Sequence, residues 1–247
     1  MEEGIHIAIS AEKIGTIAGF PVTNTLITAW AVIFLLLVFA FILRKKLSLV
    51  PGKVQTVMEE MFIYVMNYME ETLESKELAL RFFPLIVTIF LFIFTANVLE
   101  FTPGIGSIVI ERAGEHIPLL RSVNTDLNVT LALAMIVFII IEIAGVAVLG
   151  FLKYTAKFVN VSSVIGFFIG IIELISEVAR LVAFSFRLFG NIFAGEVLVL
   201  VVASFVPFVL PVPLMAFEVF VGFIQAAIFA LLTLFFIKIA ITPIESH

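Results

Sequence analysis

Arg187 is the residue whose type and surroundings most demand a chemical explanation. It lies in Arg180-Leu-Val-Ala-Phe-Ser-Phe-Arg187-Leu-Phe-Gly-Asn191-Ile-Phe-Ala-Gly-Glu196, within the longest apolar region of the chain. A cation at the centre of a bilayer costs about 2.5–3.5 kcal/mol on insertion scales, so an ionisable side chain there reads first as functional. Arg180 has Glu177 one helical turn back and can be either the partner of Glu177 or Glu173 or part of an aqueous access. Arg187 has no such neighbour in its own segment, which leaves protein, water or a carboxylate of another chain to face it.

At about 100° per residue, Glu173, Arg180, Arg187 and Asn191 fall on one stripe of a helix. Glu196 points to the other side, roughly 13 Å further along the axis than Arg187. Two polar environments are therefore expected. Downstream, Glu218 and Gln225 are seven residues apart and share a face. Antiparallel folding about Pro207, Pro211 and Pro213 brings Glu218 near Glu196 and Gln225 toward Arg187. Taken singly, Gln225 also suits an interhelical hydrogen bond, Glu173 an interfacial position, and Lys238 a snorkelling lysine.

The elements that must position these groups are membrane helices. The sequence is 62% apolar with 28 phenylalanines in 247 residues, against roughly 45–50% apolar in ordinary soluble chains, and its mean hydropathy is +1.25. It has no cysteine, so disulfides and thiolate metal sites are excluded. The expected fold is an all-α integral membrane protein, a single domain over 1–247, with about five membrane-crossing helices and one amphipathic interfacial helix.

Residues 1–20 read as a surface tail with at most one short helix, and without a basic leader region the first apolar run is expected to stay as an anchor. That run, 25–43, closes on Arg44-Lys45-Lys46. Residues 54–74 place apolar side chains at spacings of three and four. Their other face carries Glu59, Glu60, Glu70, Glu71 and Glu74, suiting either a protein partner or a solvated surface better than anionic lipid. A second span, 82–99, has Pro84 in its first turn, and 101–125 reads as an irregular surface loop. A third span covers 129–152, its start capped by Asp126 or Asn128; Asn128-Val-Thr130 is also a glycosylation pattern. Glu142 lies inside this span and suits a structural ion pair or a water-lined cavity.

The last two helices, 161–206 and 214–242, are too long to cross upright and are expected to be strongly tilted. Eight Lys and Arg residues lie in the 44–81 and 153–157 segments against three, Lys13, Arg112 and Arg121, on the opposite side. That bias predicts the N-terminus outside and the C-terminus cytoplasmic.

Arg187-Leu-Phe-Gly-Asn191-Ile-Phe-Ala-Gly-Glu196, with Gln225-Ala-Ala-Ile-Phe, resembles the signature of subunit a of the F-type ATP synthase. Val50-Pro-Gly-Lys-Val-Gln55, Asp126-Leu-Asn128-Val-Thr130 and Glu245-Ser-His247 are similar to the same family in the same order. The resemblance implies two offset aqueous half-channels held against a rotating ring of c subunits, each with a mid-membrane carboxylate. It implies Arg187 as the arginine facing the ring, Asn191 and Gln225 beside it, Glu196 and Glu218 in the outer half-channel, and Glu173 and Arg180 toward the inner access. It further implies peripheral-stalk b subunits and membrane lipid as partners, a bacterial inner-membrane location, and no cofactor, metal, nucleic acid or ATP chemistry in this chain.

Relatives often carry a His and a Glu where this chain has Glu196 and Glu218; a carboxylate pair can hold a proton or assist a sodium ion, so the ion stays open. A stand-alone ion-coupled transporter or channel is the rival class. It would be expected to show an internal repeat, and the sequence has none. An intramembrane enzyme lacks paired His ligands and a Ser/His arrangement.

Overall fold

The computed structural model describes residues 10–102, 108–112, 115–158, 164–207 and 209–242. In chain order the elements are β1 (Lys13–Ile17), β2 (Phe20–Thr23), α1 (Asn24–Lys46), α2 (Lys53–Leu73), α3 (Lys76–Glu100), β3 (Val109–Arg112), β4 (Glu115–Pro118), α4 (Leu127–Leu149), α5 (Phe151–Thr155), α6 (Val164–Phe205) and α7 (Pro211–Ile241). α1, α3, α4, α6 and α7 are long and apolar enough to cross a membrane. The protein is an all-α multi-pass membrane protein, as its composition predicts.

The core lies among α3, α4, α6 and α7, where Ile86, Ile93, Val137, Leu188, Phe229, Leu234 and Ile237 are buried. Phe184 of α6 meets Phe229 of α7 edge to face at 4.8 Å. α1 is different: its buried residues are Asn24, Thr25, Thr28 and Val32, all in its first turns. Beyond them Phe34, Leu37, Phe39, Phe41 and Ile42 are exposed, a surface that only hydrocarbon or another apolar chain suits.

Two ends of the bundle can be distinguished. At the hairpin end, Thr25 at the start of α1 donates to Asp126, the N-cap of α4, at 3.0 Å. Asn97 near the end of α3 donates to the Gly222 carbonyl of α7 at 3.0 Å. At the other end, α5 folds under α4 and α6, and Lys238 of α7 pairs at 3.0 Å with Glu74, the left-handed residue that closes α2.

Several expectations are corrected. Residues 13–23 form an antiparallel hairpin instead of a tail or short helix, because Ala18 and Gly19, at φ +51° and +87°, make the positive-φ turn that a two-residue hairpin needs. The second span begins at Lys76, capped by Ser75, so Pro84 is interior and not in the first turn. The 101–125 stretch is not only a surface loop: β3 pairs with β4, and Arg121 to Thr125 are buried. The third span stops at Leu149, where Gly150 at φ +83° turns the chain into α5. Pro211 is the first residue of α7 and not part of the turn before it. It suits that place because a first-turn N–H has no partner to lose. α6 runs 42 residues without a break; the expected start at Val161 and the Glu245-Ser-His247 motif lie outside the described residues.

Candidate functional site

The hairpin end holds a polar cluster sealed from the surrounding apolar surface. Asn124 donates to Asn97 Oδ1 at 2.6 Å, and Ser122 donates to Glu100 Oε2 at 2.9 Å. The Arg121 guanidinium donates to the Ser10 carbonyl at 2.9 Å and to the Thr125 carbonyl at 3.4 Å. It therefore ties the segment before β1 to the entry of α4. Arg121 and the Thr125 hydroxyl are also the polar groups acting on Glu196 of α6. Glu100 feels the charge of both Glu196 and Glu218, so three carboxylates from three helices, α3, α6 and α7, share this end. Glu218 is buried, and it reaches α6 only because residue 195 is glycine.

A Cβ on Gly195 would collide with the Glu218 carboxylate. That carboxylate is the free end of a flexible side chain, so Gly195→Ala is expected to turn it away from α6 and to change the stability of the purified protein by no more than about 1 kcal/mol, since alanine also favours the helix over glycine by about that much. Thermal denaturation of the variant checks this, and a loss of about 3 kcal/mol would show that the Glu218 side chain is held rigidly against α6.

Midway along α6 the environment changes. Arg187 and Asn191 are exposed on the outside of the bundle. The Asn191 side-chain amide donates to Gln225 Oε1 at 2.8 Å, linking α6 to α7, and Gln225 is buried. Arg187 makes no hydrogen bond or ion pair among the described residues. Its flanks are Phe186, exposed, and Leu188, buried. A guanidinium cannot give up its proton in a protein, so the surface here carries a fixed positive charge that nothing in the described chain neutralises.

The α5 end carries a second cluster of four charges. Lys157 Nζ lies 2.5 Å from Glu173 and 3.2 Å from Glu177, and Glu177 in turn lies 2.6 Å from Arg180. The Arg180 guanidinium stacks on Phe236 of α7 at 4.1 Å. Glu177 is buried, an affordable position for a carboxylate only because two cations meet it. Close approach of the α5 segment makes this possible: Gly145 leaves room for the Tyr154 ring, and Gly170 for the Phe158 carbonyl. The Tyr154 hydroxyl donates to Glu142 at 3.0 Å. Burial first, and the neighbouring Glu142 next, hold that hydroxyl well above the ordinary tyrosine range, so it remains a donor.

The structure thus brings Asn191 to Gln225, sets Glu218 against Gly195 of α6, one residue before Glu196, and joins Glu173 to Arg180 through Lys157 and Glu177. Arg187 is bonded to none of them among the described residues. Lys238 is ion-paired to Glu74 and is not simply snorkelling. Reasoning from the sequence missed Glu100, Asn97, Arg121 and Lys157 as members of these clusters. Asn97 and Glu100 stand out in the sequence only as polar residues at the end of an apolar run. Lys157 and Arg121 look like ordinary loop cations, and nothing local marks their partners.

The family profile described as ATP synthase A chain matches residues 25–238. The chain is 35% identical over 248 residues to ATP synthase subunit a of Mycobacterium bovis, covering 98% of this chain and 96% of the relative. It is 32% identical over 217 residues to ATP synthase subunit a of Moorella thermoacetica, covering 88% and 90%. The corresponding protein of Campylobacter fetus is 31% identical over 216 residues, covering 87% and 89%.

Proposed function

The chain belongs to the ATP synthase A chain family, and on that premise we propose that it is the stator ion-channel subunit of a rotary F-type ATP synthase. In this reading it stands beside a ring of c subunits and passes protons to and from a carboxylate on each of them. The observation that carries it is Arg187, an exposed fixed cation on an apolar helix, unpaired among the described residues, with a separate polar cluster toward each end of the bundle.

The mechanism follows from charge. A rotor carboxylate that comes opposite Arg187 is driven to ionise, because an opposite charge nearby favours the charged form. Arg187 itself relays nothing, since it keeps its proton. The leaving and arriving protons are kept on opposite sides of it, which suppresses a direct leak. The hairpin-end cluster of Glu100, Glu196 and Glu218 serves the outer half-channel, and the α5-end cluster of Lys157, Glu173, Glu177 and Arg180 serves the inner access. Asn191 and Gln225, bonded to each other, stiffen the α6–α7 contact beside Arg187. Each charge crossing gains about 2.3 kcal/mol per 100 mV of membrane potential, and rotation stores it.

We place the protein in a bacterial inner membrane, where its bacterial relatives support it, with the hairpin end outside and the α5 end facing the cytoplasm, an orientation that the Lys and Arg bias of the loops favours. The acidic face of α2, Glu59, Glu60, Glu70 and Glu71, is the contact for the peripheral-stalk b subunits. Glu74 does not join it, because Lys238 already holds it.

Purification in mild detergent through a tag on this chain tests the assignment. A ring of small two-helix subunits, each with one mid-membrane carboxylate, is expected to come with it. A chain that purifies alone and still moves ions across liposomes by itself would establish the rival transporter reading.

A further inference from the structure

Glu142 is a carboxylate well inside a long apolar helix that the mechanism above leaves without a task. It lies on α4, seven residues before the helix ends at Leu149, and the sequence left it between an ion pair and a cavity. The first description does not fit. It forms no ion pair among the described residues; its Oε2 accepts from the Tyr154 hydroxyl at 3.0 Å, and its Oε1 is buried and meets no hydrogen-bond partner. A buried polar oxygen left unmatched in a native fold calls for an explanation.

The setting supplies one. The charged and titratable groups that act on Glu142 are Tyr154 from α5, Lys157 from the segment after α5, and Glu177 and Arg180 from α6. Lys157 and Arg180 already have partners in Glu173 and Glu177, so neither cation needs Glu142 to neutralise it. Tyr154 holds one carboxyl oxygen in place and, as a hydroxyl that keeps its proton, cannot drain the other. The residue is only partly exposed, yet it lies against α5, which is outside the spans, and so is close to the aqueous boundary.

We propose that Glu142 is a proton-exchange group at the α5 end, taking up a proton on Oε1 and exchanging it with water there, while Tyr154 fixes its orientation. This rests on the function proposed above and adds to it a residue of the inner access that lies on α4. The step is a simple transfer: an O–H bond forms at Glu142 Oε1 as a hydronium admitted from the α5 boundary loses its proton, and the same bond breaks when the proton is passed on; buffer acids supply protons at that boundary and do not reach Oε1 themselves. Tyr154 stays protonated throughout. No electron is exchanged.

A group of this kind matters when protons are scarce in solution and becomes dispensable when a mobile buffer delivers them. The test uses the intact ATP synthase in inverted membrane vesicles, where the α5 end faces the medium, and follows ATP-driven acidification of the lumen. Glu142→Gln keeps the volume and an acceptor for Tyr154 but cannot exchange a proton. In dilute external buffer its pumping rate is expected to fall by about twofold or more, equivalent to roughly 0.4 kcal/mol on the barrier. Concentrated mobile buffer should restore it to the wild-type rate. Glu142→Asp, which keeps an exchangeable proton, should retain most of the dilute-buffer rate.

A wild-type rate for Glu142→Gln at every buffer strength overturns the proposal. So does a loss that buffer does not restore, which assigns Glu142 to packing alone, and so does an Asp variant no better than Gln. Arg187→Ala in the same vesicles separates the two readings: if it pumps normally, the proposed function itself fails. If it is inactive and Glu142→Gln shows no buffer dependence, only the assignment of Glu142 falls.

Discussion

Arg187→Ala is expected to abolish both ion-driven ATP synthesis and ATP-driven pumping in a complex that still assembles. The loss should be at least about a hundredfold, the scale on which removing one preorganised charge-stabilising group acts. Assembly should survive because Arg187 is exposed and bonds to nothing in the described chain, so its removal orphans no buried partner. This separates it from Arg180, whose loss would leave Glu177 buried with a weaker set of partners. Arg187→Lys should fail as well, since a desolvated lysine can lose its proton and lacks the planar fork. ATP synthesis in energised vesicles, beside the subunit stoichiometry of the purified complex, checks both variants. Normal coupled synthesis in Arg187→Ala would end the assignment of this residue.

The second large effect concerns the carboxylates at the hairpin end. Glu196→Gln and Glu218→Gln should each slow synthesis, and the double variant should be far less impaired than the sum of the two. The physical reason is that Glu100 senses the charges of both and Gly195 lets Glu218 lie beside the residue preceding Glu196. Groups that share partners in this way couple by about 0.5–3 kcal/mol, whereas independent sites add. The rates of the two single variants and the double variant complete the cycle, and strict additivity would mean that the acids serve separate paths. A wild-type activity that depends on sodium at alkaline pH would change the transported ion from a proton to sodium.

The fold was readable wherever apolar length alone decides the outcome. The five long helices follow from uninterrupted hydrophobic runs, and α2 follows from its three-and-four spacing. The central contact was readable too, since heptad arithmetic on α6 and α7 put Gln225 opposite the Arg187–Asn191 turn, and Asn191 does bond to Gln225. What failed to show in the sequence depends on partners distant along the chain. Arg121 sits 111 residues from Ser10, and Ser122 22 residues from Glu100. No local period connects them.

Glycine was not legible in the sequence as a point of contact. Gly195 and Gly170 lie inside an unbroken helix, and their meaning is that Glu218 and the Phe158 carbonyl press against them. The β1–β2 hairpin was missed because its strands are short, and its cue, Ala18-Gly19 between two extended runs, is weaker than the turn pairs that normally announce a hairpin.

The unbroken course of α6 has one further consequence, for how this chain can change over time. Glu173, Glu177, Arg180, Arg187, Asn191, Gly195 and Glu196 all hang on a single rigid spiral of 42 residues. A substitution alters one of them and leaves the others in register. Inserting or deleting one residue between Arg180 and Gly195 would turn everything on one side by about 100° and shift it about 1.5 Å along the axis. Gly195 would no longer face Glu218, or Arg187 would swing away from the stripe it shares with Asn191. No loop or hinge lies within that stretch to absorb the rotation. This part of the gene can therefore drift in letters but not in length.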